Sequence, residues 1–507
     1  MKQEKNVAVL RKAVSELSYS REDHLSDEMF DATLSELKKM WAVYGYAEVL
    51  GELFEQWSME KALPFFERLK LTLPQSRKVK TVATLYHRGY NGGCERVQAQ
   101  LMTLWVNMGY RVVFFAEEPA NPMDFPYPDE VKRILLPKVS NLRERLLVLQ
   151  KMALEEGVDV LVNHDWSNCA VMWEAVLCKL LNISYVPYIH AHFSWTIPDS
   201  KRSVLFPRVC KLCDVIITLS ETNARFFQLC GCNTYLVENP IPDDLEKISE
   251  VAPLNSRRIL LVGRISKEKY PMDALRVFRL VHNAFPDTFL DVVGTGDTNI
   301  VNEMKEFCAE NNLSDSVIFH GLKNNTEVNR FFVESACMLF TTKMEGYPMV
   351  LLEAKAHGLP VAMYDLSFLT LVKDKKGILV SPVGDIRDVA ENIVRLLRDD
   401  VFRKACGRSA REDFLFHAAY DLKQAWTDVF MLCEHSGTEI VSGAYHDPNA
   451  VPEADRYIEP ALLDAVGKAY DNILAQSIEY RVGKMLLRIP RAVKNALRKL
   501  KGVVKAL

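Results

Sequence analysis

The spacing of hydrophobic residues along this chain changes character twice. In residues 1–75, apolar side chains recur at three- and four-residue steps, as in Phe30, Leu34, Leu37, Trp41 and Tyr44, then Leu50, Leu53, Phe54 and Trp57. That period predicts amphipathic helices. No chemical motif interrupts them, so 1–75 reads as a helical extension packed on the main body. Short apolar runs rich in β-branched residues then follow: VKTVATLY, YRVVFFA, VDVLVNH, ISYVPYIH and CDVIITLS. Each precedes a stretch of helical period, the alternation of a parallel sheet covered by helices. The stretch VENPIPDDLEKISEVAPLNS is rich in Pro, acid and Asn, and it places a linker at 241–256. The alternation restarts with RRILLVGR, FLDVVGTG, DSVIFHG, ACMLFTT and GLPVAMY. The expected fold is α/β, with two doubly wound, Rossmann-like parallel-sheet domains at 76–240 and 257–415. They face each other across a cleft, and helical extensions precede and follow them. Ligands of open α/β sheets bind at the carboxyl ends of the strands, so the loops after the strands should line that cleft.

Composition narrows the class. The chain has 507 residues, too many for one ordinary core. Eleven scattered cysteines fit reduced thiols in a cytoplasmic protein better than a disulfide framework. The start lacks an apolar signal-peptide region, and no window is apolar enough to span a bilayer. The net charge of −3 hides an asymmetry: residues 480–507 hold nine Lys or Arg and no acid, leaving 54 basic against 66 acidic residues elsewhere, or −12. An acidic body excludes nucleic acid as the main partner.

The candidate chemistry lies in the loops. In EGYPMVLLEAKAHGLPV, residues 343–347 form the loop after the strand ACMLFTT, Pro348 suits the first helical turn, and Gly358 ends the helix. Glu345 then precedes the helix start and Glu353 lies about one and a half turns in. Gly346, Tyr347, Met349 and Val350, with Pro348 among them lacking an N–H of its own, bring unpaired N–H groups to the cleft, an anion site between two carboxylates. A nucleotide-sugar, with ribose, diphosphate and sugar in series, would use all three features. The bland alternative is a capping acid and a solvated acid on one helix. GRISKEK adds Arg264 and Lys269 after the domain's first strand, positive charge for two phosphates. VVGTGD adds Gly294 and Gly296, which permit close backbone approach. A dinucleotide fingerprint would need a third glycine, where the chain has Asn299.

These motifs together resemble the retaining glycosyltransferases of family 4, which have the GT-B fold. Glu345 and Glu353 resemble that family's E-x7-E signature over a likeness covering about residues 78–433. The resemblance implies that Arg264 and Lys269 grip the diphosphate, Glu353 binds the ribose and Glu345 lies by the transferred sugar. YNGGCERVQAQL resembles the family's G-G-x-E-R loop, which implies that the amides of Gly92 and Gly93 approach the donor. A tight strand-to-helix turn is the alternative there. His190 matches the family's histidine beside the sugar, and Asp165 matches an acceptor-side acid of some members. His164 and His192 read as structural hydrogen-bonding residues. Cys210, Cys213, Cys230 and Cys232 read as ordinary thiols, with zinc as the alternative. The sequence has no Asp-x-Asp triplet, so no metal cofactor is expected.

The family core is expected to close with a crossover helix at 416–433, followed by a linker or helical extension at 434–479. In 480–507, Val482, Met485, Leu486, Ile489, Val493, Leu497, Leu500 and Val504 fall on one helical face and the basic residues on others. Such a helix suits an anionic membrane surface, with the protein's own acidic body as the alternative. The expected function is transfer of a sugar from a nucleotide-diphosphate sugar to a glycan or lipid-linked acceptor in surface-polysaccharide synthesis, at the cytoplasmic face of a membrane. A nucleotide-sugar epimerase on this fold and a catalytically inactive accessory subunit are the rivals.

Overall fold

The computed structural model describes residues 2–21, 24–73, 78–90, 92–164, 170–193, 209–248 and 251–434. Asp165 and the segments 435–479 and 480–507, on which expectations fell, lie outside the described residues.

The first helices are Lys2–Ser15, Asp27–Tyr44, Tyr46–Gln56 and Met59–Thr72. Ser26 and Ser58 cap the second and fourth, each accepting from a backbone N–H three residues on. Phe30, Leu34, Leu37, Trp41, Leu50, Leu53 and Trp57 are buried. Phe54 is instead 41% exposed, with its ring meeting Trp173 edge-on at 5.6 Å. The helices are fastened to the next domain by polar contacts: Arg143 pairs with Glu48 and Glu52, and the Ala47 N–H donates to Gln150 at 3.1 Å.

The first sheet contains β1 (Thr81–Tyr86), β2 (Arg111–Ala116), β3 (Lys132–Leu135), β4 (Val160–Asn163), β5 (Ser184–Ile189), β6 (Ile216–Thr218) and β7 (Thr234–Leu236), in the order β3-β2-β1-β4-β5-β6-β7. The second contains β8 (Arg258–Val262), β9 (Phe289–Val293), β10 (Val317–Gly321), β11 (Cys337–Phe340), β12 (Val361–Tyr364) and β13 (Ile378–Ser381), in the order β10-β9-β8-β11-β12-β13. All pairings are parallel, and the central strands β1, β4 and β11 are buried on both faces, as sheets covered by helices require. In both sheets the chain reverses its direction of winding beside the first strand, between β1 and β4 and between β8 and β11.

One apolar cluster runs from Val82 and Tyr188 through Tyr347 and Leu351 to Trp426, so the two domains share a core. The last described helix, Leu422–Glu434, returns to the first domain. Trp426 meets Trp105 at 4.8 Å, and Glu434 accepts from the Val79 N–H at 2.8 Å. Residues 416–418 belong to the preceding helix, Asp400–Ala418. The crossing helix starts later than expected because Asp421 caps it, accepting from the Gln424 N–H. Among the described residues, no helix is long and apolar enough to cross a membrane.

Candidate active site

The two winding reversals face each other across a cavity of about 720 Å³. Gly92, Gly93, His190, Arg264, Lys269, Glu345, Tyr347, Pro348, Met349 and Val350 line it. Both domains therefore contribute, and each loop arrives from the carboxyl end of a strand.

The helix after β11 runs Met349–Ala356. Pro348 has extended backbone (φ −75°, ψ 99°) and is the residue before the first turn, one place earlier than its expected position inside that turn. Met349 and Val350 thus bring the opening of the helix to the cavity, where the first N–H groups have no intrahelical acceptor. Gly358 (φ +63°) takes the chain out of the helix.

Lys269 ends a short 3-10 turn, and Tyr270 turns the chain in left-handed backbone (φ 49°) before Pro271 opens the next helix. Thr341 holds this turn by donating to the carbonyls of Lys269 (3.3 Å) and Tyr270 (3.1 Å). The Lys269 ammonium is thereby delivered to Glu345, and the two form an ion pair. Arg264 is the more exposed cation and pairs with Glu268 at 3.1 Å.

The glycines divide by role. A Cβ on Gly346 would lie 1.8 Å from the His190 carbonyl oxygen, so the two domains touch backbone to backbone there. A Cβ on Gly294 or Gly296 would strike the carbonyls of Gly263 (2.0 Å) and Ile265 (1.9 Å). Gly294 and Gly296 do not line the cavity. Their close approach is to the loop after β8, which they let lie against the loop after β9, so they shape the support of Arg264. At Gly93 an added Cβ would face open space.

His190 is half-buried at the cavity wall, and its desolvation there lowers its imidazole pKa to about 3. Its Nε2 lies 2.8 Å from Nδ1 of His164. Burial and the neighbouring His190 push His164 well down too. Both rings are neutral at physiological pH, one donating to the other, so His164 holds the structural hydrogen bond expected of it and orients His190. His192 packs between the rings of Phe193 and Phe368.

Glu353 is the fifth residue of its helix and does not line the cavity. Its Oε1 accepts from Arg96 Nη1 at 3.1 Å, and Arg96 Nη2 donates to Asp244 at 3.0 Å. Burial raises the Glu353 pKa to about 7, with Arg96 opposing that shift and Asp244 adding to it. Arg96 stands in the YNGGCERVQAQL stretch, but its partner is 257 residues away. A second buried chain ties the linker to the same loop. Tyr347 donates to Glu238 (3.0 Å), which pairs with His417 at 2.7 Å. No local signal marked either network.

Cys210 and Cys213 are buried and burial pushes their thiols well up, with a rise at Cys230 and Cys232 as well. Among the described residues, no three His, Cys, Asp or Glu side chains are grouped as metal ligands.

Two family models match in succession: Glycosyltransferase Family 4 over residues 91–245 and Glycosyl transferases group 1 over 243–413. The chain belongs to the family 4 glycosyltransferases and has their GT-B fold. It is 23% identical to an uncharacterized glycosyltransferase of Haemophilus influenzae, over 61% of this chain and 88% of that one. It is 22% identical to the amylovoran biosynthesis glycosyltransferase AmsD of Erwinia amylovora, over 67% and 96%. Among solved structures, HepE of Anabaena in complex with UDP and glucose superposes with a TM-score of 0.55 at 14% identity, covering 69% of this chain and 97% of that one.

Proposed function

We propose that the protein is a retaining glycosyltransferase of surface-polysaccharide synthesis. It moves a hexose from a nucleotide-diphosphate sugar to a glycan or lipid-linked acceptor without a metal cofactor. The observation that carries this reading is the cavity wall that joins the Lys269–Glu345 pair to the opening of the helix Met349–Ala356. Two phosphates entering there meet Lys269, Arg264 and the helix-start N–H groups, an arrangement suited to a leaving diphosphate. Arriving phosphates draw Lys269 from Glu345 and leave that carboxylate beside the sugar. His190, neutral and held by His164, offers a hydrogen bond to a sugar hydroxyl. Shared backbone contact at Gly346 and His190 excludes water from the transfer. AmsD supplies the polysaccharide setting by analogy, and HepE the expectation of a UDP donor.

We further propose that residues 480–507 rest on an anionic membrane at its cytoplasmic face, because nine basic residues accompany an apolar stripe. Asp165 retains its proposed place on the acceptor side. The test of the function is incubation with a panel of nucleotide-sugars, following nucleotide release with and without candidate acceptors and in the presence of a chelator. Nuclear magnetic resonance of the product gives the anomeric outcome. Absence of release with every donor, or a product of inverted configuration, overturns the reading.

A further inference from the structure

The ion triad of Arg96, Glu353 and Asp244 joins three elements. Arg96 lies in the helix Gly93–Asn107 of the first domain, three residues past Gly93 on the cavity wall. Glu353 lies in Met349–Ala356, about one helical turn past Met349 and Val350, and Asp244 in the short helix Asp243–Glu246 within the linker. The side chains of Arg96 and Glu353 are 15% and 16% exposed. Two carboxylates therefore share one guanidinium: Asp244, 43% exposed, keeps its charge in water, whereas the enclosed Glu353 depends on that cation to stay ionised.

We propose that Arg96 is a positioning residue of the nucleotide site: by bridging Asp244 and Glu353 it holds the Glu353 carboxylate in place and ionised, as the acceptor for the vicinal hydroxyls of the donor's ribose. This rests on the donor reading of the site and on the ribose role that the family resemblance implies for Glu353, which stands just behind the cavity-lining Met349 and Val350 on the same helix. Arg96 takes Oε1, and no partner for Oε2 stands among the described residues. A neutral Glu353 would be a weaker acceptor for a diol and would carry a proton of its own. The bridge comes from the opposite domain, so the cradle is complete only when the domains are closed.

The surroundings of Glu353 leave this task to Arg96. On the helix Asp400–Ala418, which packs along Met349–Ala356, Arg411 donates to the Ala356 carbonyl and Asp413 pairs with Lys355. His357 donates from Nδ1 to the backbone carbonyl of Glu353 and stacks on Phe332 of the helix Asn325–Glu334. None of these groups meets the Glu353 carboxylate. Burial already raises its pKa to about 7 with Arg96 in place, so losing the cation moves it to the protonated side at neutral pH. A lysine in place of Arg96 would keep the charge but could not fork between two carboxylates.

The experiment uses the full chain and calorimetric titration with UDP, ADP and GDP. The tightest of these is then compared with its 2′,3′-dideoxy form from pH 5.5 to 9. The ratio of the two affinities isolates the ribose hydroxyls, because the diphosphate titrates alike in both. In the wild type the ratio should be at least tenfold above pH 7 and fall towards one below it. R96A should move that transition up by a pH unit or more, R96K should move it less, and D244N should move it down. E353Q should hold the ratio near one throughout. If none of the three nucleotides binds, or if E353Q keeps the wild-type ratio, the donor reading itself is wrong and the proposal falls with it. If E353Q removes the ratio while R96A and D244N leave the transition in place, the donor reading stands and the role of Arg96 is wrong. Should R96A fail to fold, D244N decides, and an unmoved transition in that variant overturns the proposal.

Discussion

The carbonyl oxygen of His190 occupies the space that a Cβ on Gly346 would need, at 1.8 Å. Neither side of this contact is a flexible side-chain end. Gly346 precedes the helix opening, and His190 follows β5 of the other domain, so the contact fixes how closely the two halves of the site approach. G346A should hold the cleft open.

That substitution is expected to lower turnover by about 10² or more, the scale of an ångström-sized misplacement of reacting groups. The apolar core shared by the two domains includes Tyr347 next to this glycine, so an opened cleft should also lower the melting temperature. Small-angle scattering should show a more extended molecule. Normal turnover with an unchanged scattering profile would mean that the loop relaxes without opening the cleft, and the contact would lose its significance.

The Lys269–Glu345 pair predicts opposite consequences for two neighbouring substitutions. K269A should weaken binding of the free nucleoside diphosphate by about 1.5–3 kcal/mol, the range for a charge-assisted contact. E345A releases Lys269 to the phosphates, so diphosphate affinity should hold or rise while turnover drops by about 10² to 10³. Calorimetry and steady-state rates separate the two. Parallel losses of affinity in both variants would show that the pair acts as a structural bridge.

Much of this geometry was legible because it is local. The runs that became β1, β4, β8 and β11 are apolar on both faces, and EGYPMVLLEAKAHG contains a strand exit, a proline and a terminal glycine within a short span. The glycines of GTGD were legible as sites of close approach, but not as approaching Gly263 and Ile265 rather than a ligand. What joins the domains left no periodic trace. Glu353 was legible as a candidate donor ligand, but nothing in either helix pointed to its pairing with Arg96, and Glu238 and His417 are 179 residues apart. Closure of one surface on another creates these pairs, and neither hydrophobic period nor motif spacing encodes it. Phe54 fails in the other direction: its helical register was read as buried, yet it lies at the rim of the interface with Trp173.

The basic segment at 480–507 predicts a salt-sensitive membrane attachment. Nine cations without an acid attract anionic lipid at up to about 1 kcal/mol each, and that attraction weakens as the Debye length shortens. The apolar stripe should retain a remainder at high salt. Deleting 480–507 should leave turnover of a soluble acceptor nearly intact and reduce co-sedimentation with phosphatidylserine vesicles. Equal sedimentation of the truncated and full chains would assign the segment to the protein's own acidic surface.

The last prediction concerns His417, whose side chain is only 5% exposed between Glu238 (2.7 Å) and Asp413 (3.6 Å). Burial disfavours its charge, but hydrogen bonds and attraction from Asp413 and Glu238 prevail and raise its pKa to about 9. An unfolded histidine titrates near 6.5. The folded state thus holds the proton more tightly, and the stabilisation is complete below about pH 6.5 and lost as pH rises through 9. Its size is on the order of 3 kcal/mol. Asp413 belongs to the same cluster: burial opposes its charge, but His417 and Lys355 bring its pKa to about 2, so its own contribution persists above about pH 4 and fades only in strong acid. H417Q should therefore cost a few kcal/mol at pH 6.5 and much less at pH 10. Urea denaturation of both proteins across that interval gives the difference directly, and titrations common to the two cancel. The same proton holds Glu238 beneath Tyr347, so loss of activity in alkali should track loss of stability in the wild type. A stability difference that stays constant from pH 6.5 to 10 would show that His417 is neutral in the fold and that Glu238 is held beneath Tyr347 without its charge.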